Sequence, residues 1–226
     1  MKLNFEEAQS AYRTKFPESP FFDTWVPQSK FVSAEIDSTG NLIISREDKG
    51  IYGIAIGTSP AIPAEWKSFS MESSGIEFMP DDCKVVARWD CYWAPTISGT
   101  LQNIDTATDE EIKSFLDLHA PESSVYPGND EIQRWIILRE GQELVGVAAI
   151  CKWQSGKLMI SSVATHSDYR GKGFGKKLMR ETLIAGHDMG VDLLCLGVRH
   201  SNISAQRLYA SLNFTLMHNF TYCERR

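Results

Sequence analysis

The chain has 226 residues, 42% hydrophobic and 23% charged, which fits a globular protein of one large domain or two small ones. Its net charge of −6 excludes a broad phosphate-tracking surface, so no nucleic-acid partner is expected. No apolar run is long enough to cross a bilayer, and the opening residues MKLNFEEAQS lack the apolar stretch of a secretory signal; no membrane partner and a cytoplasmic location are expected.

Residues 4–14 read as a short helix. Residues 31–36 and 41–45 flank Ser38-Thr39-Gly40, the composition of a hairpin turn, and 51–56 reads as another strand. Pro60 and Pro63 mark a break before a short helix predicted at 64–71, and 85–93 reads as a strand. Residues 1–99 thus predict a small α+β region of unassigned role. Trp89, Tyr92 and Trp93 suit a core or the lining of a substrate pocket. The five cysteines, Cys83, Cys91, Cys151, Cys195 and Cys223, are odd in number and hold no C-x-x-C pair, which argues against a disulfide framework or a zinc site; no metal is expected.

Residues 95–103 read as a linker. The helix predicted at 108–119 opens with Thr108 and Glu111, a capping box, and carries the stripe Ile112, Phe115, Leu116, His119. The stretch 120–129, APESSVYPGN, reads as a loop. His119, Glu122, Ser124 and Tyr126 are candidate substrate contacts there, against the plainer reading of a solvated connection. Residues 132–139, 143–153 and 158–165 predict an antiparallel meander.

The rest of the chain is organised around residues 157–190. A strand with apolar Leu158, Ile160 and Val163 feeds a loop with Gly171, Gly173 and Gly175 at alternate positions. A helix with Leu178, Met179, Leu183 and Met189 near one face follows, closed by Gly190. Arg170, Lys172, Lys176 and Lys177 surround the glycines. A basic glycine loop opening a helix is an anion site, because the first-turn N–H groups have no partner and the helix dipole favours negative charge. The spacing matches neither G-x-x-x-x-G-K-[ST] nor G-x-G-x-x-G, which excludes a P-loop and a dinucleotide fingerprint. A glycine turn merely joining strand to helix is the bland alternative. The apolar run 191–198 then completes a β-α-β unit. A helix capped by Asn202 follows and ends near Asn213, and 214–222 alternates Phe214, Leu216, His218, Phe220 and Tyr222 on one face of a final strand.

The spacing that does fit is R-x-x-G-x-G, as Arg170-Gly171-Lys172-Gly173-Phe174-Gly175, which resembles the acyl-CoA pyrophosphate loop of the GNAT superfamily of N-acetyltransferases. Asn202, Ala205, Leu208, Tyr209 and Phe214 likewise resemble the family's N-x-x-A-x-x-L-Y-x-x-x-G-F segment, with Asn213 replacing its glycine. The resemblance covers roughly residues 100–222 and not the N-terminal half. It implies an α+β fold: a GNAT-like mixed sheet with a β-α-β acyl-CoA-binding core over 100–226, preceded by the smaller α+β region, for which a degenerate second copy is one reading.

It implies acetyl-CoA as acyl donor and a primary amine of a small molecule or peptide as acceptor. The main chain of Val163, Ala164 and Thr165 would meet the pantetheine arm. The amides of Gly171, Lys172, Gly173, Phe174, Gly175 and Lys176 would hold the pyrophosphate, Arg170 completing the motif. Lys172, Lys176, Lys177 and Arg207 would meet phosphate charge, although Lys177 and Arg207 suit a solvated face equally. Asn202 would bond the pantetheine arm, and Tyr209 would protonate the departing thiolate. Gly197 stands where some members that acetylate protein N-termini carry a glutamate. The base is therefore unassigned among Glu122, His119 and His166, and the alternative is an acyl-CoA-binding sensor without catalysis. The terminal strand is expected to offer an edge for a homodimer.

Overall fold

The computed structural model describes residues 1–102 and 105–226; Asn103, the last residue of the expected linker, lies outside them. In chain order the described residues form β1 (Lys2–Leu3), α1 (Phe5–Lys15), α2 (Phe21–Trp25), β2 (Phe31–Ile36), β3 (Leu42–Glu47), β4 (Ile51–Ile56), β5 (Ser68–Glu72), β6 (Cys83–Pro95), α3 (Asp109–His119), β7 (Ile132–Glu140), β8 (Glu143–Lys152), β9 (Leu158–Thr165), α4 (Phe174–Asp188), β10 (Leu193–Arg199), α5 (Ile203–Ala210) and β11 (Thr215–Arg225). They pack as two compact units that interleave in sequence. One is Met1–Tyr92 with Gly197–Ile203 and Leu216–Arg226; the other is Trp93–Leu196 with Ser204–Thr215.

In the first unit, α1 begins at a capping box. The Asn4 side chain accepts the Glu7 N–H, and the Glu7 carboxylate accepts the Asn4 N–H. Helices α1 and α2 bury Tyr12, Phe21, Phe22 and Trp25. Strands β2, β3 and β4 form an antiparallel meander. The helix predicted at 64–71 is not formed: Ser68–Glu72 is a strand, parallel to β4 and antiparallel to β11. There Phe69 and Met71 share a core with Trp66, Ile43 and Cys223, and that burial outweighs the local helical pattern. Strand β11 lies between β5 and β6. His218 and Phe220 point into the core as expected, but Leu216 is exposed, and Thr221 and Cys223 are buried as well. A strand with a neighbour on each side has no free edge, so β11 does not offer the edge expected for a homodimer.

The second unit holds strands in the order β10-β9-β8-β7. Strands β7, β8 and β9 are the expected antiparallel meander, and β10 joins β9 in parallel after the crossover through α4. Thr108 and Glu111 cap α3 reciprocally. Its stripe Ile112, Phe115 and Leu116 packs on Ile137, Val147 and Ala164. Leu178 of α4 lies over Gly146, the neighbour of Val147 and hence on the opposite face of the sheet. Helix α4 closes with a Schellman pair of bonds, Val191 N–H to Gly186 O and Gly190 N–H to His187 O. The expected linker is tied down: Thr96 N–H bonds Asp192 O, Thr96 Oγ1 bonds Val191 O, and Gln102 N–H bonds the buried Glu181 carboxylate. Asn213 takes the left-handed conformation, φ 60°, that its place in the motif requires. All five cysteines are buried free thiols, and no helix among the described residues is long and apolar enough to cross a membrane.

Candidate functional site

Strand β9 is bent at Ser162. The β8 ladder pairs Val147 with Ala164 and Ala149 with Ser161, so β9 holds one residue more than its partner across this interval. Ser162 takes up that residue with φ 50°. A left-handed serine costs on the order of 1 kcal/mol or more and persists only where its surroundings hold it. Here the buried Ser162 Oγ donates to Val125 O at 2.7 Å and accepts the Val125 N–H at 3.2 Å, which ties the 120–129 loop to the bulge.

Beyond the bulge the two edges of β9 differ. His166 N–H bonds Val145 O on β8, so by alternation Ala164 faces β8 while Val163 and Thr165 direct their main-chain groups away from it. On that far side β9 pairs in parallel with β10, with the register Met159↔Cys195. Main-chain groups at Val163 and Thr165 thus lie on the edge of β9 away from β8, where Thr165 O accepts from the Arg170 guanidinium.

The chain then makes a 3-10 turn, Ser167–Tyr169, and passes through Gly171 (φ 76°) and Gly173 (φ 89°) into α4. Side chains rarely tolerate these angles, and a Cβ at either glycine would meet nothing within 4 Å, so the space in front of the loop is open. Gly173 occupies the N-cap position with no side-chain cap, and the helix's own bonding starts with Lys177 N–H to Gly173 O at 3.1 Å. The amides of Phe174, Gly175 and Lys176 precede that bond, and the first turn carries no acid. Lys172 Nζ sits 5.2 Å over the Tyr169 ring, and Phe174 packs edge-on to the same ring. Gly175 is the close-approach position: a Cβ there would lie 3.3 Å from Leu208 of α5 and 3.5 Å from Thr165 Oγ1. Next to Leu208, the buried Tyr209 ring lies 5.4 Å from Phe214.

The second unit therefore gathers Val163, Ala164, Thr165, the 170–176 loop and the α5 face bearing Leu208 and Tyr209. The Arg170 guanidinium donates to His119 O at 2.8 Å and to Thr165 O at 3.2 Å. Asn202 belongs to the first unit. Glu122 and Ser124 are exposed, while Tyr126 OH donates to Pro121 O at 3.4 Å. His119 and His166 lie side by side, ring centroids 4.1 Å apart, where β9 runs into the loop. Sequence reading missed Ser162, Glu143 and Tyr169, which hold the bulge and the loop; the left-handed serine has no sequence signal, since any short polar residue suits a strand turn.

The sequence model of the Acetyltransferase (GNAT) family matches residues 101–214, just over half of the chain. The chain belongs to the GNAT family. Over 109 residues, 48% of this chain and 70% of the relative, it is 26% identical to the uncharacterized N-acetyltransferase YvbK of Bacillus subtilis. Over 88 residues it is 33% identical to the ribosomal protein bS18-alanine N-acetyltransferase of Haemophilus influenzae, covering 38% of this chain and 59% of that enzyme. A GCN5-related N-acetyltransferase from Kribbella flavida shares the fold over 96% of this chain and 95% of its own, with a TM-score of 0.54 at 14% identity. As a GNAT protein the chain is an acyltransferase, and the fold likeness extends across its N-terminal half as well.

Proposed function

We propose that the protein transfers an acetyl group from acetyl-CoA to a primary amine of a small molecule or peptide. The observation that carries this reading is the open, uncapped start of α4, which β9 enters through the glycine loop. A diphosphate fits there, where N–H groups and the dipole favour anions. Residues 100–226 form the catalytic region in this reading, and 1–99 an α+β region of unassigned role, for which a degenerate GNAT-like half is one reading.

The chemistry follows. An alkylamine with a pKa near ~10.4 must give a proton to a base or a water chain before it attacks the thioester carbon. The C–N bond forms, N–H groups at Val163 meet the oxyanion of the tetrahedral intermediate, and the nitrogen gives up its second proton by the same route. The C–S bond then breaks, the thiolate takes a proton from Tyr209, which is reprotonated from solvent, and the amide departs. Phosphate charge falls to Lys172 and Lys176, since Arg170 is engaged elsewhere.

The test is thiol release from acetyl-CoA over a panel of amines, amino acids and peptides. Release stimulated by at least one amine is expected. Binding of acetyl-CoA without turnover on any amine would instead support the non-catalytic sensor.

A further inference from the structure

The turn that opens the glycine loop is held by two histidines acting as acceptors. Ser167 N–H donates to His119 Nδ1 at 3.3 Å, and Asp168 N–H donates to His166 Nδ1 at 3.2 Å. An imidazole nitrogen can accept only when it carries no proton, so both rings bear their proton on Nε2. His166 Nε2 faces the Glu143 carboxylate at 3.5 Å, and the other Glu143 oxygen receives Tyr169 OH. His119 is the last residue of α3, and its carbonyl holds the Arg170 guanidinium, which also bonds Thr165 O. The end of α3, the end of β9 and the first residues of the loop are thus one clasp.

We propose that His119 and His166 are positioning residues for coenzyme A: as acceptors they fix the turn at Ser167–Tyr169 and with it the glycine loop, and a proton on His119 Nδ1 releases its hold on Ser167. This rests on the coenzyme A reading of the loop. A proton on Nδ1 would point at an N–H that already points back, so the bond becomes a repulsion between two donors. The groups facing His119 are Asp168 and Glu143, which draw positive charge onto it, and Arg170 and His166, which repel it. For His119, burial, then His166 and Arg170, depress the pKa below the usual histidine value. The sign follows: the clasp is whole above the ordinary histidine pKa, and the folded loop gives way as pH falls below it.

The experiment measures binding of dephospho-coenzyme A, which lacks the 3′-phosphate that titrates in the same range, to the full chain. The expected dissociation constant rises about tenfold between about pH 8 and about pH 5. In the His119→Asn variant, where Oδ1 takes the place of Nδ1 but cannot be protonated, that ratio falls to about one, whatever the affinity at the higher pH. In the ligand-free wild type, the amide nitrogen of Ser167 shifts in NMR spectra with the same midpoint as the His119 ring. Equal pH ratios in wild type and variant, or a Ser167 amide that ignores the His119 titration, overturn the proposal. A wild type that binds no coenzyme at any pH sinks the coenzyme A reading itself, while the amide titration still reports on the clasp.

Discussion

At the scale of single residues, Tyr209 separates a catalytic role from a packing one. Its ring is buried against Phe214, and Leu208 beside it packs toward Gly175, so the side chain has a structural place whatever its chemistry. Removing only the hydroxyl leaves that packing intact. If the phenol protonates the thiolate, Tyr209→Phe lowers kcat by roughly a hundredfold with little change in KM for acetyl-CoA. An unchanged kcat would leave Tyr209 a core residue. Part of this residue-scale picture is legible in the sequence. Asn213 in the motif's glycine place does adopt the left-handed conformation. What was not legible is the second task of Arg170: its guanidinium serves two carbonyls, one of them 51 residues away in sequence. No spacing rule reaches that partner.

At the scale of elements, the bulge in β9 is the device that shapes the site. It re-aims the strand after Ser161, and the Ser162 hydroxyl joins it to the loop after α3 through both main-chain groups of Val125. Ser162→Ala would leave that buried N–H and C=O without their partner, a loss of about 1–3 kcal/mol. Urea unfolding should show this as a lower midpoint at an unchanged slope, with weaker acetyl-CoA binding because the strand edge relaxes. Wild-type stability in the variant would mean the bulge holds itself. Elements with local signals were legible in the sequence: the short helix α1, the capping box of α3, the meander β7-β8-β9, the glycine close of α4. Strand β5 and helix α2 were not, because partners distant in sequence decide them. Phe69 and Met71 are strand residues on account of β4 and β11, not of their neighbours in the chain.

At the scale of the whole molecule, the sequence suggests a simple succession of two regions, whereas the chain returns twice to its first unit, at Gly197–Ile203 and Leu216–Arg226. Hydrophobic patterning marks where strands are but not which sheet position they take, so β11 read as a free terminal strand and lies between β5 and β6. Family membership rests on residues 101–214, and the likeness of fold to a solved GCN5-related acetyltransferase spans nearly the full length. Every functional assignment above depends on one event, capture of a diphosphate by the bare start of α4. Calorimetric titration of acetyl-CoA into wild type, Gly173→Asn and Gly173→Asp measures it most directly. Asn and Asp both tolerate left-handed backbone and are nearly equal in size, so they differ in charge at the point where the phosphates would sit. Binding by wild type with a dissociation constant of about 1 μM–1 mM, retained in part by Gly173→Asn and weakened at least about tenfold further in Gly173→Asp, is the predicted result. Equal affinity in the two variants, or no heat of binding in the wild type, would contradict it.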